Sequence, residues 1–294
     1  MPKLTRARFQ VNLAMLPAWI IVIIGFVGAT VWTFVISMTN SRLLPVYKFN
    51  FFDQYVRLAK LSAWQVAVQN LVVFGVLFIL ICLVLGFLMA VMIDQRIRGE
   101  SLFRTIFLYP YAMSFVVTGL VWQWVMNPSF GIQATVRGMG FETFSFDWIV
   151  RPDRAIFVLV LAAVWQGSGL VMAILLAGLR GVDEDLWKAT RVDGISKWRV
   201  YVTIILPIIA PMAATATVLL SVAVVKAYDL VVALTGGGPG NSTEVPAKFV
   251  MENLFARQNV ALANAGAVMM LAAVIAVAVP IYYARRHMAQ KAAG

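Results

Sequence analysis

Residues 185–211 read DLWKATRVDGISKWRVYVTIILPIIAP. The stretch carries Asp185, Lys188, Arg191, Asp193, Lys197 and Arg199 around Gly194, and ends on Pro207 and Pro211. On both sides of it the chain is apolar over lengths that match a bilayer. A charged segment with helix-forming content, set between two apolar runs, reads as an ordered connector in a membrane protein. Asp183, Glu184 and Asp185 suit a helix N-terminus and Lys188 and Arg191 its later turns, the order that the helix dipole favours. Gly194 reads as a left-handed corner. Ser196 is expected to cap a second helix from Lys197, with Trp198, Tyr201 and Val202 on one apolar face. The prolines are expected to kink or restart the helix where the chain re-enters lipid.

Working outward, the composition agrees. The chain has 294 residues, 62% hydrophobic and 13% charged, with mean hydropathy +0.86. Soluble domains are about 45–50% apolar and about 25% charged. About 20 apolar residues cross a bilayer as a helix, and unpaired backbone groups exclude open structures there. The apolar runs are continuous and not alternating, so the expected fold is an all-α integral membrane protein. Six transmembrane helices are expected at about 13–38, 66–94, 103–126, 156–179, 207–235 and 260–284, sharing one membrane domain over 13–284. The connector 180–206 lies between the fourth and fifth helices.

The net charge of +11 follows topology and not nucleic acid. Residues 1–12, about 95–104, 180–206 and 285–294 hold fourteen Lys and Arg in about 59 positions, against nine in about 80 on the other side. The N-terminal segment 1–12, the connector and the basic tail 285–294 are therefore expected on the cytoplasmic side. The first apolar run is too long for a cleaved signal. Cys82 is the one cysteine and His287 the one histidine, so no metal site is expected. No phosphate-binding G-x-x-x-x-G-K-[ST] occurs. TGGGPG (235–240) lacks the lysine and reads as a turn.

Polar residues inside spans are costly and mark candidate pathway positions. Lys226 and Asp229, with Tyr228 between them, are three apart and are expected to share a helix face. Trp165, Gln166 and Ser168 lie in VWQGSG (164–169), where Gly167 and Gly169 also suit close helix packing. Trp122, Gln123 and Trp124 read first as interfacial anchors. Asn70 and Asn264 are weaker candidates.

EDLWKATRVDGISKWRVYVTIILPIIAP (184–211) resembles the cytoplasmic EAA loop of ABC importer permeases. The triplet falls on Lys188, Ala189 and Thr190, departing from the family form at Lys188 and Thr190. The likeness continues through Asp193-Gly194, Ser196, Trp198, Leu206-Pro207 and Pro211, and the ATPase-coupling residues it implies are Lys188, Ala189 and Asp193 to Arg199, with Ile195, Lys197 and Arg199 among them. YDLVVALTGGGPGNST (228–243) is similar to the stretch that carbohydrate permeases carry after their fifth span. LYPYAMSFVVTGLVWQWVMNP (108–128) and AAVWQGSGLVMAILLAGLRGVDE (162–184) are similar to glucose/mannose-type permeases.

The resemblance implies a bacterial inner-membrane subunit that is not itself an enzyme and binds no cofactor. It implies a second six-helix permease, two cytoplasmic ATPases holding ATP and Mg, and an extracytoplasmic sugar-binding protein. It also implies that the helix after Gly194 is a coupling helix seated on an ATPase. Two other classes stay open from the residues alone. An ATP-independent secondary transporter would show paired broken helices or a mid-membrane carboxylate. An intramembrane enzyme would need a nucleophile–base pair or a metal cluster within the spans.

Overall fold

The computed structural model describes the backbone of residues 12, 14–46, 48–95 and 98–293, and side chains as far as Ala276. Apart from residue 12, the expected cytoplasmic segment 1–12 lies outside the described residues, as do the side chains of the tail 285–294. In chain order the helical elements are α1 (Ala14–Ser37), α2 (Asp53–Lys60), α3 (Ser62–Asp94), α4 (Glu100–Ala112), α5 (Phe115–Val125) and α6 (Ile132–Gly138). They continue as α7 (Ala155–Arg180), α8 (Glu184–Val192), α9 (Lys197–Ile208), α10 (Ala210–Val225), α11 (Tyr228–Leu234), α12 (Pro246–Met251) and α13 (Val260–Ala293). Among the described residues the only β pairing is an isolated bridge between Thr39 and Phe49. The fold is helical, as the continuous apolar runs imply.

Three helices, α1, α3 and α7, are long and apolar enough to cross a membrane unaided. The 33 residues of α3 extend about 50 Å, past a hydrocarbon core of about 30 Å. Two further helix pairs are apolar enough to make a span together, each bent at a short break. The pair α4–α5 bends by 100° and the pair α9–α10 by 71°. The expected single helix over 103–126 is thus two segments. Its break has a local cause: Tyr109–Ala112 tightens to a 3-10 turn containing Pro110, and Met113 is extended at ψ 151°. Ser114 then caps α5, its hydroxyl accepting from the Val117 N–H at 3.2 Å.

The expected helix over 207–235 is also in pieces. It breaks at Ile209, just before Pro211, where the prolines were expected to act. It breaks again at Lys226 and Ala227, which leave helical geometry between α10 and α11. The last helix, α13, carries the apolar stretch Val260–Ala276 among the residues whose side chains are described.

The chain forms two compact units. One comprises Met1–Leu61 and Phe249–Ala272. Its polar connector after α1 is tied together internally. The Ser37 hydroxyl meets the Tyr55 hydroxyl at 2.6 Å, and Gln54 Nε2 donates to Asn40 Oδ1 at 2.9 Å and to the Thr39 carbonyl at 3.1 Å. The Ala261 N–H donates to the Ser41 carbonyl at 2.9 Å.

The other unit comprises Ser62–Lys248 and Ala273–Gly294. Its core is the packing of α3 on α7, with α10 laid against both. Small residues let the two backbones approach. A Cβ on Gly86 would lie 2.6 Å from Val171 Cγ1 and 3.0 Å from the Met172 nitrogen, and one on Gly167 would lie 2.9 Å from the Phe78 ring. Gly169 faces the Phe107 carbonyl so closely that any side chain there would collide with α4 backbone. Gly167 and Gly169 therefore serve close packing, one of the two roles read from VWQGSG.

Substituting Gly86→Val is expected to destabilise the detergent-solubilised protein by about 1–3 kcal/mol through overpacking. Gly138→Ala, where nothing lies within 4 Å, is expected to leave it unchanged. Thermal unfolding followed by circular dichroism checks both, and equal melting of the two variants would contradict the packing account.

Candidate functional site: the connector and the broken spans

The connector folds much as its sequence implies. The Asp183 carboxylate caps α8, accepting from the Asp185 N–H at 2.9 Å. Lys188 pairs with Asp185 at 2.7 Å on an exposed face. Gly194 sits at φ +66° with nothing within 4 Å of a notional Cβ, so it is required by backbone conformation and not by crowding. The Ile195 N–H donates back to the Thr190 carbonyl at 3.2 Å. Ser196 occupies the N-cap of the next helix but makes no side-chain cap hydrogen bond. Its carbonyl instead accepts from the Val200 N–H at 3.0 Å.

The expected common face of Trp198, Tyr201 and Val202 is not formed. From Val200 to Ile205 the helix widens to π geometry. Val200 and Tyr201 turn into the core, whereas Trp198 is 60% and Val202 40% exposed. The connector thus has two sides. Leu186, Trp187, Ile195, Val200 and Tyr201 pack inward. Lys188, Ala189, Asp193, Gly194, Ser196, Lys197, Trp198 and Arg199 are exposed. Ile195 is the one coupling candidate turned partly inward. Val192, 87% exposed, belongs to the outer side and was not singled out from sequence, although an isolated valine among charges was the available signal.

The inner side is fixed at Tyr201. Its hydroxyl accepts from Gln95 Nε2 at 3.1 Å and donates to Asp94 Oδ2 at 3.5 Å. Its ring meets Trp187 edge-on at 5.3 Å and Phe87 at 6.5 Å. Nearby, Arg180 at the end of α7 reaches Glu100 at the start of α4 at 2.7 Å, and Arg104 reaches the same carboxylate at 3.5 Å.

The pathway candidates divide. Gln166 is buried, and its Nε2 donates to the Met113 carbonyl at 2.7 Å. Met113 is where the α4–α5 break frees backbone groups, and such groups inside a membrane protein need partners. Gln166 supplies one. Trp165 meets Trp122 edge-on at 6.0 Å. Ser168 is half-buried beside them in sequence. Gln166 Oε1, Trp122 Nε1 and Thr118 Oγ1 are all buried without a hydrogen-bond partner. Thr118, one turn from Trp122 on α5, was not read from the sequence, and Trp122 was read first as an interfacial anchor.

Lys226, Tyr228 and Asp229 form a separate group. The expected shared face of Lys226 and Asp229 is not present, because the helix breaks between them, and no ion pair joins them. Both are exposed and Tyr228 is half-buried. α5 nevertheless connects the two groups, packing on α7 and, through Gly119 against Ala233, on α11. Asn70 and Asn264 have structural roles. Asn70 Nδ2 donates to the carbonyls of Glu244 (2.9 Å) and Asn241 (3.2 Å), pinning the turn in which Gly236, Gly237 and Gly240 have positive φ. Asn264 Nδ2 donates to its own helix at Val260. Among the described residues no group of three or more His, Cys, Asp or Glu could hold a metal ion.

Comparison with known proteins gives this arrangement its family. Residues 83–293 match the family described as binding-protein-dependent transport system inner membrane component. The chain belongs to this family. A probable ABC transporter permease protein of Pyrococcus horikoshii is 35% identical over 92% of this chain and 94% of its own. The xylose/arabinose import permease protein of Haloferax volcanii is 35% identical over 91% of this chain and 86% of its own. A crystal structure of a bacterial alginate ABC transporter in complex with an alginate pentasaccharide-bound periplasmic protein superposes a chain on this one. It has TM-score 0.83 at 16% identity, over 97% of both chains. That likeness is one of fold. As a permease of this family the chain is a transport component of the inner membrane, with carbohydrate importer permeases among its relatives.

Replacing Gln166 with Leu removes the partner of the Met113 carbonyl at the break. A buried group left unpaired costs about 1–3 kcal/mol, so the variant is expected to melt earlier in detergent. A wild-type melting temperature would show that Gln166 does not support the α4–α5 bend.

Proposed function

We propose that this chain is one permease subunit of an ATP-driven sugar importer. It lines the translocation pathway with a second six-helix permease and is driven through residues 180–206 by cytoplasmic ATPases. In this reading all six expected spans cross the inner membrane. α4–α5 is a bent third span, α10–α11 is a broken fifth span entered from the connector through α9, and both termini are cytoplasmic. The domain boundaries at 12/13 and 284/285 follow from the same charge distribution.

The observation that carries the reading is the two-sided connector. Its inner side is packed against the apolar core. Its outer side presents Val192 and Trp198 beside Lys188, Asp193, Lys197 and Arg199. Large exposed apolar residues ringed by charge mark a protein contact. The partner in this family would be an ATPase carrying ATP and Mg, and an extracytoplasmic binding protein would deliver the sugar. The chain itself is read as holding no cofactor and performing no hydrolysis. ATPase closure would move the connector and switch the permease between two states.

The sugar reading draws on relatives and on the polar atoms around α5. Xylose/arabinose and trehalose/maltose permeases are among the relatives. Trp165, Trp122, Thr118, Gln166 and Ser168 offer stacking faces and unmatched donors and acceptors, the groups that hydroxylated ligands use. Tyr228, Lys226 and Asp229 extend this lining along α11. A monosaccharide such as glucose or mannose is the first substrate to test, with pentoses next. The bent spans are the feature an ATP-independent transporter would also need. Membership of a binding-protein-dependent family favours the importer.

The test is uptake of labelled glucose, mannose, xylose and arabinose into proteoliposomes containing the assembled complex and its binding protein. Uptake is expected only with ATP inside. ATP-independent uptake by this chain alone would overturn the importer reading. Gly194→Val places a β-branched residue at φ +66° and strains the corner by about 1–2 kcal/mol. It is expected to leave membrane insertion and ATP hydrolysis in place while cutting ATP-dependent uptake by about tenfold or more. Normal uptake in that variant would remove the corner from the coupling path.

A further inference from the structure

Resting on the importer reading, we infer that Tyr201 is a positioning residue that locks the connector to the cytoplasmic end of α3, so that α8, α9 and α3 move as one body. Three elements meet at this side chain. It belongs to α9, its ring lies between Trp187 of α8 and Phe87 of α3, and its hydroxyl bridges Gln95 and Asp94 at the end of α3. It is 5% exposed.

The backbone supports the same role. Tyr201 lies in the first turn of the π-helical stretch Val200–Ile205. Widened turns of this kind are often found at functional positions. The widening turns Val200 and Tyr201 together into the core while Trp198 stays outside. Beyond Ile208 the chain bends by 71° into α10. A push on the outer side of the connector therefore reaches α9 on the connector side of the Ile209 bend, at the point where Tyr201 joins it to α3. Because α3 is close-packed on α7 through Gly86 and Gly167, motion given to the end of α3 passes to the α3–α7 pair. Packed interiors transmit such displacements and do not absorb them.

The experiment uses the assembled complex in nanodiscs with Cys82 replaced by Ser. Spin labels are placed at Met92 on α3 and Val202 on α9, both exposed. Their separation is measured by electron paramagnetic resonance without nucleotide and after trapping with ATP and vanadate. In the wild type one narrow distance is expected in both states, shifting by less than about 2 Å, the scale of an ordinary helix shift. Tyr201→Phe, which keeps the ring and loses both hydroxyl bonds, is expected to broaden the distribution. Trp187→Leu, which keeps those bonds, is expected to broaden it as well. A larger nucleotide-dependent shift in the wild type, or distributions unchanged in both variants, overturns the joint while ATP hydrolysis by the complex leaves the importer reading standing. A complex that hydrolyses no ATP would overturn that reading and this inference with it.

Discussion

The structure of the larger unit depends on how closely α3 and α7 approach. Gly86 and Gly167 remove the side chains that would hold the backbones apart, and Val171, Phe78 and Cys82 fill the remaining space. In lipid the hydrophobic effect does not drive helices together, so association depends on such packing and on interhelical hydrogen bonds. Everything assigned to function is placed by this pair. Gly169 of α7 receives the α4 backbone at Phe107, and Gln166 one turn earlier satisfies Met113 at the break. The connector-side ends of the same two helices carry Asp94 and Arg180, which meet Tyr201 of the connector and Glu100 at the start of α4.

The two broken spans explain why a protein this apolar keeps polar atoms inside it. A helix satisfies its own backbone, whereas a bend releases carbonyls and N–H groups that a membrane interior cannot solvate. At Met113–Ser114 the release is met by Gln166 and by the Ser114 cap. Around it Thr118, Trp122 and Gln166 keep unmatched polar atoms. Under the proposed importer reading, these unmatched groups are the ones a hydroxylated solute would meet.

Much of this was legible in the residues, and what was not has a physical reason. Continuous apolar runs gave the helical class. The charged connector announced its α8, its Gly194 corner and the proline bend before α10, because each depends on local conformational preference. The α4–α5 break was missed although Pro110 and the Ser114 cap were local signals for it; what could not be read was the partner of its freed carbonyl, a glutamine 53 residues away. Lys226 and Asp229 misled for the related reason that an i,i+3 spacing implies a shared face only if the helix is unbroken. Trp198 and Tyr201 parted because π geometry changes the angular step, and no local residue preference reports it. The role of Tyr201 is tertiary, fixed by partners on α3 and α8.

The central claim is that the exposed side of residues 180–206 docks on an ATPase. The most direct measurement is crosslinking from a photoreactive residue at Ser196 or Lys197 in intact membranes, followed by purification through this chain and mass spectrometry. The account predicts that an ATPase with a phosphate-binding Walker motif is the crosslinked protein, recovered together with a second six-helix permease. Crosslinks confined to lipid, with this chain purifying alone, would contradict it.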